Sequence, residues 1–351
     1  MISEKQDIRL LELQDIEIFV EKIGEKKFRA KQVFEWLWNK NVNTFSEMKN
    51  VPKELIAELE NSFLLEHLTI QDQQTSSDGT IKFALKTKDD CLIESVLIPT
   101  DTRATICVST QTGCSLNCKF CATAKITIPK NLTAGEIFDQ IFLLSKFSEE
   151  HLNKKLTNIV YMGMGEPLLN YENTLTSIKH VNNSFGFSPS RITVSTAGII
   201  KKIKQLADDE TKFNLAISLH SANDKKRSYL MPINKINNLK SLAEALKYYN
   251  KKTNNRITIE YLLLKDINDS TNDAKELALF CKNFPCKINI IEYNPVKGIS
   301  FSKALVSKQN EFVSCLKNKN IIVNVRNSRG SDINAACGQL ANIIKKRKSV
   351  Q

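Results

Sequence analysis

The chain has 351 residues, of which 42% are hydrophobic and 25% are charged, values that are ordinary for a soluble globular protein with a sizeable core. No apolar run approaches the ~18 residues of a membrane span, and no signal-type N-terminus is present. We therefore expect a cytoplasmic protein without a membrane partner. Its nine cysteines are then metal ligands, catalytic thiols or core residues rather than a disulfide framework.

The net charge of +12 and the pI near 9.1 indicate a polyanionic partner, nucleic acid above all. Any single basic cluster could equally be a solvated face of the protein. The clusters occur at residues 26–29, 201–202, 225–227, 251–252 and 345–348.

Residues 1–65 have the pattern of a small helical module with a basic rim. Apolar residues recur at helical spacing: Ala30, Val33, Phe34 and Leu37. Pro52 is placed to begin a further helix. We interpret Trp36 and Trp38, the only tryptophans, as core residues rather than base-stacking platforms.

The periodicity changes in residues 66–99. A Ser-Ser-Asp-Gly turn at 76–79 separates two apolar stretches at 68–70 and 81–85, which predicts a β-hairpin. A further strand is predicted at 92–98. We expect this segment to connect the helical module to the core, although no flexible linker marks a sharp domain boundary.

The core, residues 100–343, alternates strands with helices and is followed by a basic tail at 344–351. A strand at 104–109 leads into a cysteine-rich loop. The later predicted strands are 158–162, 191–195, 213–219, 256–264, 287–293 and 320–326. The predicted helices between them are 172–184, 199–208, 239–251, 272–283 and 308–318.

Such alternation predicts an α/β fold with a parallel sheet. Capping signals at Thr133/Glu136 and Ser270/Asp273 predict the starts of two helices. Six strand–helix units are too few for a closed eight-unit barrel, so we expect an open, partial TIM-like barrel. Its chemistry would then lie at the carboxyl ends of the strands.

Cys114, Cys118 and Cys121 form a C-x₃-C-x₂-C motif after the first core strand. Thiolates select zinc, copper(I) or iron–sulfur clusters. A structural zinc site usually takes four ligands from two short-spaced pairs, and this chain has no second CxxC pair. A four-iron cluster held by three thiolates leaves one iron open, an arrangement that resembles the radical S-adenosylmethionine (SAM) enzymes.

Polar residues also follow the predicted strands. A Met-Gly-Met-Gly-Glu-Pro stretch at 162–167 ends one of them, where glycines allow close approach of a ligand and Glu166 offers a carboxylate to an ammonium group. Ser195, Ser218-Leu219-His220 and Asn294 end three others. Taken singly, such residues more often have structural roles, but their recurrence at successive strand ends favours a binding site.

Taken together, six sequence motifs resemble the RlmN family of radical SAM RNA methyltransferases across nearly the whole chain. They are FRAKQ at 28–32, CVSTQTGC at 107–114, MGMGEP at 162–167, ISLH at 217–220, RSYLMPIN at 227–234 and DINAACGQL at 332–340. The resemblance implies a radical SAM barrel with a [4Fe–4S] cluster and SAM as cofactors. It also implies methylation of adenosine carbon 2 in 23S rRNA, at the peptidyl transferase centre, and in tRNA, 3′ of the anticodon.

The resemblance further implies a role for each site residue. Cys114, Cys118 and Cys121 would hold the cluster. The SAM contacts would be Gly165, Glu166, Ser195, Ser218, Leu219, His220 and Asn294.

The catalytic residues implied by the family are two cysteines and a carboxylate. Cys337 would receive a methyl group from one SAM, lose hydrogen to a radical made from a second SAM, and add its methylene to the base. Cys107 would release the protein–RNA adduct and leave a disulfide with Cys337. Glu94 would be a proton acceptor. A one-electron donor of flavodoxin or ferredoxin type and a monomeric state are also expected.

Two rival hypotheses remain open at this point. A Cfr-type enzyme would methylate carbon 8 of the rRNA base, although the motifs at 165–167 and 327–330 look more like RlmN. A non-catalytic, metal-stabilised RNA-binding protein would contain zinc and would not cleave SAM. Cys91, Cys281, Cys286 and Cys315 match no motif and are interpreted as ordinary core or surface residues.

Overall fold

The computed structural model of this protein describes residues 5–126 and 129–341. The predicted basic tail at 344–351 lies outside these ranges. Within them, no helix has the length and apolar character needed to cross a bilayer.

The N-terminal module is helical, as predicted. Its helices are α1 (Leu13–Lys22), α2 (Phe28–Glu35) and α3 (Lys53–Ser62). Short strands at its two ends, β1 (Gln6–Asp7) and β2 (Phe63–Leu64), pair in parallel and close the module. The predicted apolar face is buried, because Ala30, Val33 and Leu37 are fully inaccessible to solvent. Phe34 packs against this core and is only partly buried.

All the remaining strands belong to one ten-stranded sheet in which spatial order follows chain order. Four antiparallel strands begin it: β3 (Thr69–Thr75), β4 (Ile81–Lys86), β5 (Leu92–Pro99) and β6 (Ala104–Cys107). Six strands continue in parallel from β6: β7 (Asn158–Tyr161), β8 (Ile192–Thr196), β9 (Asn214–Ser218), β10 (Ile257–Leu263), β11 (Cys286–Glu292) and β12 (Val323–Arg326).

Helices connect the parallel strands as expected for right-handed crossovers. They are α4 (Ala134–Leu152), α5 (Tyr171–Phe185), α6 (Ile200–Asp208), α7 (Asp224–Leu230), α8 (Leu239–Thr253), α9 (Thr271–Cys281) and α10 (Val306–Lys317). Both predicted capping boxes are confirmed. The Thr133 hydroxyl accepts from the Glu136 amide at 3.1 Å, and the Ser270 hydroxyl accepts from the Asp273 amide at 3.2 Å.

The parallel strands form the open, partial barrel that the sequence predicted. Among the described residues, no strand pairing joins β12 back to β3. The gap is instead bridged by the chain after β12, where the Gly330 amide donates to Asp78 Oδ2 at 2.9 Å and Ser76 Oγ donates to Asp332 Oδ1 at 2.6 Å. Segment 66–99 therefore does more than connect two domains, because its strands extend the barrel sheet.

A buried ion pair fastens the N-terminal module to the barrel. Arg9 donates to Asp139 of α4 at 2.7 Å, and both side chains are 1% exposed. Asp139 also accepts from the Leu68 amide at 3.0 Å, and His67 Nδ1 lies 3.1 Å from it. Burial alone would raise the pKa of Asp139, but Arg9 and the hydrogen bonds hold it below its usual value.

Aromatic packing strengthens the same junction. The Trp38 ring stacks on His180 of α5 with 3.5 Å between ring centroids and meets Phe138 of α4 edge-on at 5.4 Å. Trp38 is 2% exposed, which confirms its interpretation as a core residue. Trp36 is only partly buried, and its ring nitrogen donates to Asn50.

Replacing Asp139 with Ala is expected to destabilise the protein by about 3–5 kcal/mol, because the buried Arg9 then keeps, among the described residues, only Asp7 at 3.6 Å as an acidic partner. Urea unfolding measures the loss. Glu150→Ala is the control, since Glu150 lies on the same helix in an exposed pair with Lys146 and should leave the midpoint unchanged. Equal losses in the two variants would contradict a structural role for the buried pair.

Candidate active site

One cavity of about 340 Å³ lies at the carboxyl ends of the parallel strands. The cysteine loop lies on one side of it and the segment after β12 on another. Ten of the residues proposed from the sequence line this cavity: Cys107, Cys114, Cys118, Cys121, Gly165, Glu166, Ser195, Ser218, His220 and Cys337.

Three proposed site residues do not line the cavity. Leu219 is fully buried in the hydrophobic core. Asn294 is 6% exposed and donates to the Glu292 carbonyl at 3.4 Å. Glu94 pairs with Lys82 at 3.1 Å and accepts from the Ala341 amide at 2.8 Å. In this arrangement Glu94 holds the C-terminal segment, so acting directly as a proton acceptor would require that segment to move.

The cysteine loop is folded by local contacts that point its thiols inward. Asn117 has a left-handed backbone, with φ of 53°, that turns the chain between two of the cysteines. The Cys121 amide donates to the Cys118 carbonyl at 3.2 Å, and the Lys119 amide donates to the Leu230 carbonyl at 3.0 Å. The loop is thereby attached to the end of α7.

The three thiols suit a metal cluster. Burial raises the pKa of Cys114 to about 12, and the charges of Glu166 and Cys121 add to this effect. Burial and the two other cysteines also raise the pKa of Cys118. Such thiols ionise readily only when a metal compensates the charge.

The glycine-rich turn after β7 is fixed by close packing. Gly165 has φ of +98°, and a Cβ atom there would lie 2.6 Å from the Gln111 Cβ, so no other residue fits. Glu166 accepts from the Ala197 amide at 2.7 Å and from the Leu168 amide at 3.0 Å. Burial raises its pKa although these bonds oppose the effect. Each carboxylate oxygen keeps further lone-pair capacity for a ligand ammonium.

The ends of β8 and β9 bring three polar side chains together. Ser195 and Ser218 lie 3.4 Å apart through their hydroxyl oxygens. His220 has a left-handed backbone, with φ of 55°, and its Nδ1 accepts from the Leu262 amide at 3.0 Å. Burial, together with the charge of Arg227, lowers the His220 pKa to about 3, so the ring is neutral at physiological pH.

Arg227 organises these strand ends, a role that its motif did not reveal. Its guanidinium is completely buried and donates to the carbonyls of Leu219 at 3.1 Å and Ala197 at 2.6 Å, and to Asn234 at 2.8 Å. It therefore binds the loops after β8 and β9 to each other. A sequence signal existed in the RSYLMPIN motif, but nothing in it distinguished a structural arginine from a ligand-binding one.

The segment after β12 carries Cys337 over the cavity. The Ala122 amide donates to the Gly338 carbonyl at 2.8 Å, and Thr123 Oγ1 donates to the Leu340 carbonyl at 2.7 Å. These bonds connect the segment to the end of the cysteine loop. Cys337 is exposed to the space inside the barrel.

Cys107, at the end of β6, lines the same cavity and is 9% exposed. Burial raises its pKa to about 12, and the neighbouring Cys337 raises it further, while Arg326 lowers it. All nine cysteines lie in the described part of the chain and are free thiols, so the expected disulfide between Cys107 and Cys337 is not formed here. Glu260 on β10 and Arg326 on β12 also line the cavity and are among the lining residues that were not predicted from the sequence.

Comparison with known proteins places this cavity in a family. Residues 108–278 match the radical SAM superfamily, and residues 7–65 match the ribosomal RNA large subunit methyltransferase N-terminal domain. A crystal structure of a radical SAM methyltransferase from Sphaerobacter thermophilus superposes with a TM-score of 0.88 at 38% identity, covering 95% of this chain and 99% of that one.

Relatives that align with nearly the whole length of this chain indicate the same family. A probable dual-specificity RNA methyltransferase RlmN from Cytophaga hutchinsonii is 51% identical over 340 residues, which is 96% of this chain and 93% of the relative. The protein of the same description from Staphylococcus epidermidis is 42% identical over 339 residues, with 96% and 93% covered. Radical SAM enzymes carry a [4Fe–4S] cluster and use SAM. The chain belongs to the RlmN family of radical SAM RNA methyltransferases.

Proposed function

We propose that this enzyme methylates carbon 2 of adenosine in 23S rRNA, at the peptidyl transferase centre, and in tRNA, 3′ of the anticodon. The observation that supports this most is the presence of two further free thiols, Cys107 and Cys337, in the cavity that the cysteine loop also lines. Carbon 2 of adenine is not nucleophilic, so it cannot simply displace the methyl group of SAM. A second carrier for the methyl group is therefore needed.

In this proposal Cys337 is the carrier. Its thiol faces the space where a base would enter, and the hydrogen bonds of its segment fix its position. The Cys337 sulfur would first take a methyl group from one SAM. When bound, the reduced cluster and a second SAM would supply the radical that removes one hydrogen atom from this S-methyl group. The remaining methylene would bond to carbon 2 of the base, and the adduct would lose the carbon-2 proton and return one electron to the one-electron carrier. The Cys107 thiolate would then attack the Cys337 sulfur, the C–S bond would break, and the released carbon would take up a proton to become the methyl group. A disulfide is left for an external reductant to open.

Cys114, Cys118 and Cys121 would hold the cluster, and Gly165, Glu166, Ser195, Ser218 and His220 would contact SAM. Their shared position on the cavity wall supports this assignment. Leu219 and Asn294 remain proposed SAM contacts, although their present positions fit supporting roles better. Glu94 remains a proposed proton acceptor. A one-electron donor of flavodoxin or ferredoxin type, a monomeric state and a cytoplasmic location complete the proposal.

The N-terminal module, residues 1–65, is proposed to bind RNA. Lys26, Lys27, Phe28 and Lys31 are exposed on its rim. Deleting the module would uncover the buried Asp139 of the barrel, so charge reversal is the cleaner test.

Reversing the charges of Lys26, Lys27 and Lys31 to Glu is expected to weaken RNA binding and to flatten its dependence on salt, by about one unit of log–log slope per lost phosphate contact. Filter binding at several salt concentrations measures both effects. SAM cleavage without RNA should not change. The control reverses Lys247, Lys251 and Lys252 on α8, and an equal loss there would contradict a specific role for the module.

The position of the methyl group decides between the proposal and its rival. Nucleosides from RNA treated with the enzyme should contain 2-methyladenosine by mass spectrometry against synthetic standards. The Cfr-type alternative gives 8-methyladenosine, which would overturn the proposed carbon-2 specificity. Separate rRNA and tRNA substrates test the dual specificity.

A further inference from the structure

Glu260 has a carboxylate oxygen without a hydrogen-bond partner in residues 5–126 and 129–341. The residue lies within β10, is 3% exposed and lines the cavity. Its Oε1 accepts from Asn289 Nδ2 at 2.8 Å and lies 3.7 Å from Arg326 Nη1. Its Oε2 is buried and has no hydrogen-bond partner among the described residues. A buried carboxylate oxygen without a donor is costly, so this position is suited to a donor supplied by a ligand.

A second buried polar atom at the same cavity wall also lacks a hydrogen-bond partner among the described residues. Ser328 follows β12 by two residues, lines the cavity, and has a buried hydroxyl with no partner in the part of the chain described. Glu260 and Ser328 thus flank Arg326 on the β10–β12 side of the barrel. The cavity therefore has a polar wall that neither the cluster ligands nor the proposed SAM contacts provide.

This wall belongs to the same cavity as the two catalytic thiols, because Glu260, Arg326, Cys107 and Cys337 all line it. A base that presents its carbon 2 to Cys337 therefore occupies the cavity that the unpaired Glu260 oxygen borders. In adenine, carbon 2 and the carbon that bears the exocyclic amino group are both bonded to N1. The amino group is the N–H donor that such a base can offer to Glu260.

We propose that Glu260 Oε2 accepts a hydrogen bond from the exocyclic amino group of the target adenine, with Asn289 and Arg326 holding the carboxylate in position. This inference rests on the proposed function. It explains selection of adenine over guanine or hypoxanthine, because those bases present a carbonyl oxygen at the same place and would face the carboxylate unfavourably. Glu260 is then a specificity-determining residue.

SAM also contains an adenine, and Glu260 pairs in register with Ser218, a proposed SAM contact. The target base of the RNA and SAM would therefore both present an adenine amino group to Glu260. Glu260 lines the same cavity as Cys337, which favours the adenine of the RNA, and the experiment distinguishes the two sources.

The test combines a change in the protein with a change in the RNA. The kcat/KM for methylation is measured with an RNA hairpin carrying either adenosine or purine riboside, which lacks the amino group, at the target position. For the unmodified enzyme, purine riboside should reduce kcat/KM about 10- to 100-fold. Glu260→Ala should reduce kcat/KM for adenosine by a similar factor and cause little further loss with purine riboside. If the two changes instead reduced kcat/KM independently, so that their factors multiplied when Glu260→Ala was combined with purine riboside, the proposal would be overturned.

A second variant and two measurements with SAM separate a contact with the RNA base from other causes of lost activity. Glu260→Gln retains an acceptor and the side-chain volume, and should restore part of the preference for adenosine; it also serves if the Ala variant fails to fold. SAM affinity and SAM cleavage without RNA should remain within about twofold of the unmodified enzyme. A large loss of SAM affinity would assign the contact to SAM and overturn the proposal.

The matched control is Glu292→Gln on β11, whose carboxylate pairs with Lys303 at 2.8 Å and does not line the cavity. It should keep the full preference for adenosine, and loss of that preference would also count against Glu260. Failure of the proposed function would appear separately, as the absence of 2-methyladenosine with the unmodified enzyme.

Discussion

Replacing Cys107 with Ala should trap the RNA on the protein through a covalent bond to Cys337. The methylene carbon bound to the Cys337 sulfur has no easy exit unless a second thiol attacks that sulfur. In the structure the only other thiols that line the cavity are the three proposed cluster ligands, within the residues that the structure describes. Multiple turnover should therefore be lost essentially completely. A denaturing gel of the variant incubated with RNA should show a slower-migrating, nuclease-sensitive band.

The rate at which Cys107 releases the RNA should also depend on pH. Burial raises the pKa of Cys107 to about 12, so only a small fraction of its thiol is ionised at neutral pH. Because the thiolate is the attacking species, release should accelerate as pH rises and approach tenfold per pH unit where no other step limits it. Cys315→Ala, on α10 away from the cavity, is the control and should turn over normally. Retained methylation without a trapped band in Cys107→Ala would refute the two-thiol mechanism.

Removing any one cluster ligand, Cys114, Cys118 or Cys121, should abolish both iron–sulfur absorbance and methylation. The thiols are buried close together, and with one missing the others cannot hold a cluster that leaves a single iron open. Iron and acid-labile sulfide analysis of anaerobically purified protein measures the effect. SAM cleavage should disappear with the cluster.

Cys91→Ala provides the matched control, because Cys91 is a partly buried cysteine that does not line the cavity. It should keep its iron, sulfide and activity. A variant of Cys114, Cys118 or Cys121 that kept both cluster and activity would contradict the assignment of these cysteines as cluster ligands. Zinc in place of iron and sulfide would contradict a [4Fe–4S] cluster as the cofactor.

The sequence predicted most of the fold because its elements follow simple periodicity. The predicted strand at 158–162 and helix at 239–251 match β7 and α8 within two residues at each end. The role of segment 66–99 was not visible, since joining a hairpin to the barrel sheet is a long-range pairing. The bridge from Gly330 to Asp78 is likewise a contact between distant parts of the chain.

Most of the proposed site residues that line the cavity come from motifs that fix both residue type and position. The cluster cysteines, on the loop after β6, and Glu166, after β7, belong to this class. Glu260 could not be identified, because a carboxylate inside a strand gives no indication of which face it occupies. Asn294 differs from these residues, since it lies close to the end of β11 but does not line the cavity.

The central claim is that the methyl group reaches RNA as a methylene carried by Cys337. The most direct measurement uses SAM with a fully deuterated methyl group and determines, by mass spectrometry, the deuterium content of the methyl group on the product adenosine. Removal of one deuterium atom from the methyl group on the Cys337 sulfur predicts a product methyl that keeps two deuterium atoms, with the third recovered in 5′-deoxyadenosine. A product that keeps all three would mean direct transfer from SAM and would contradict this account.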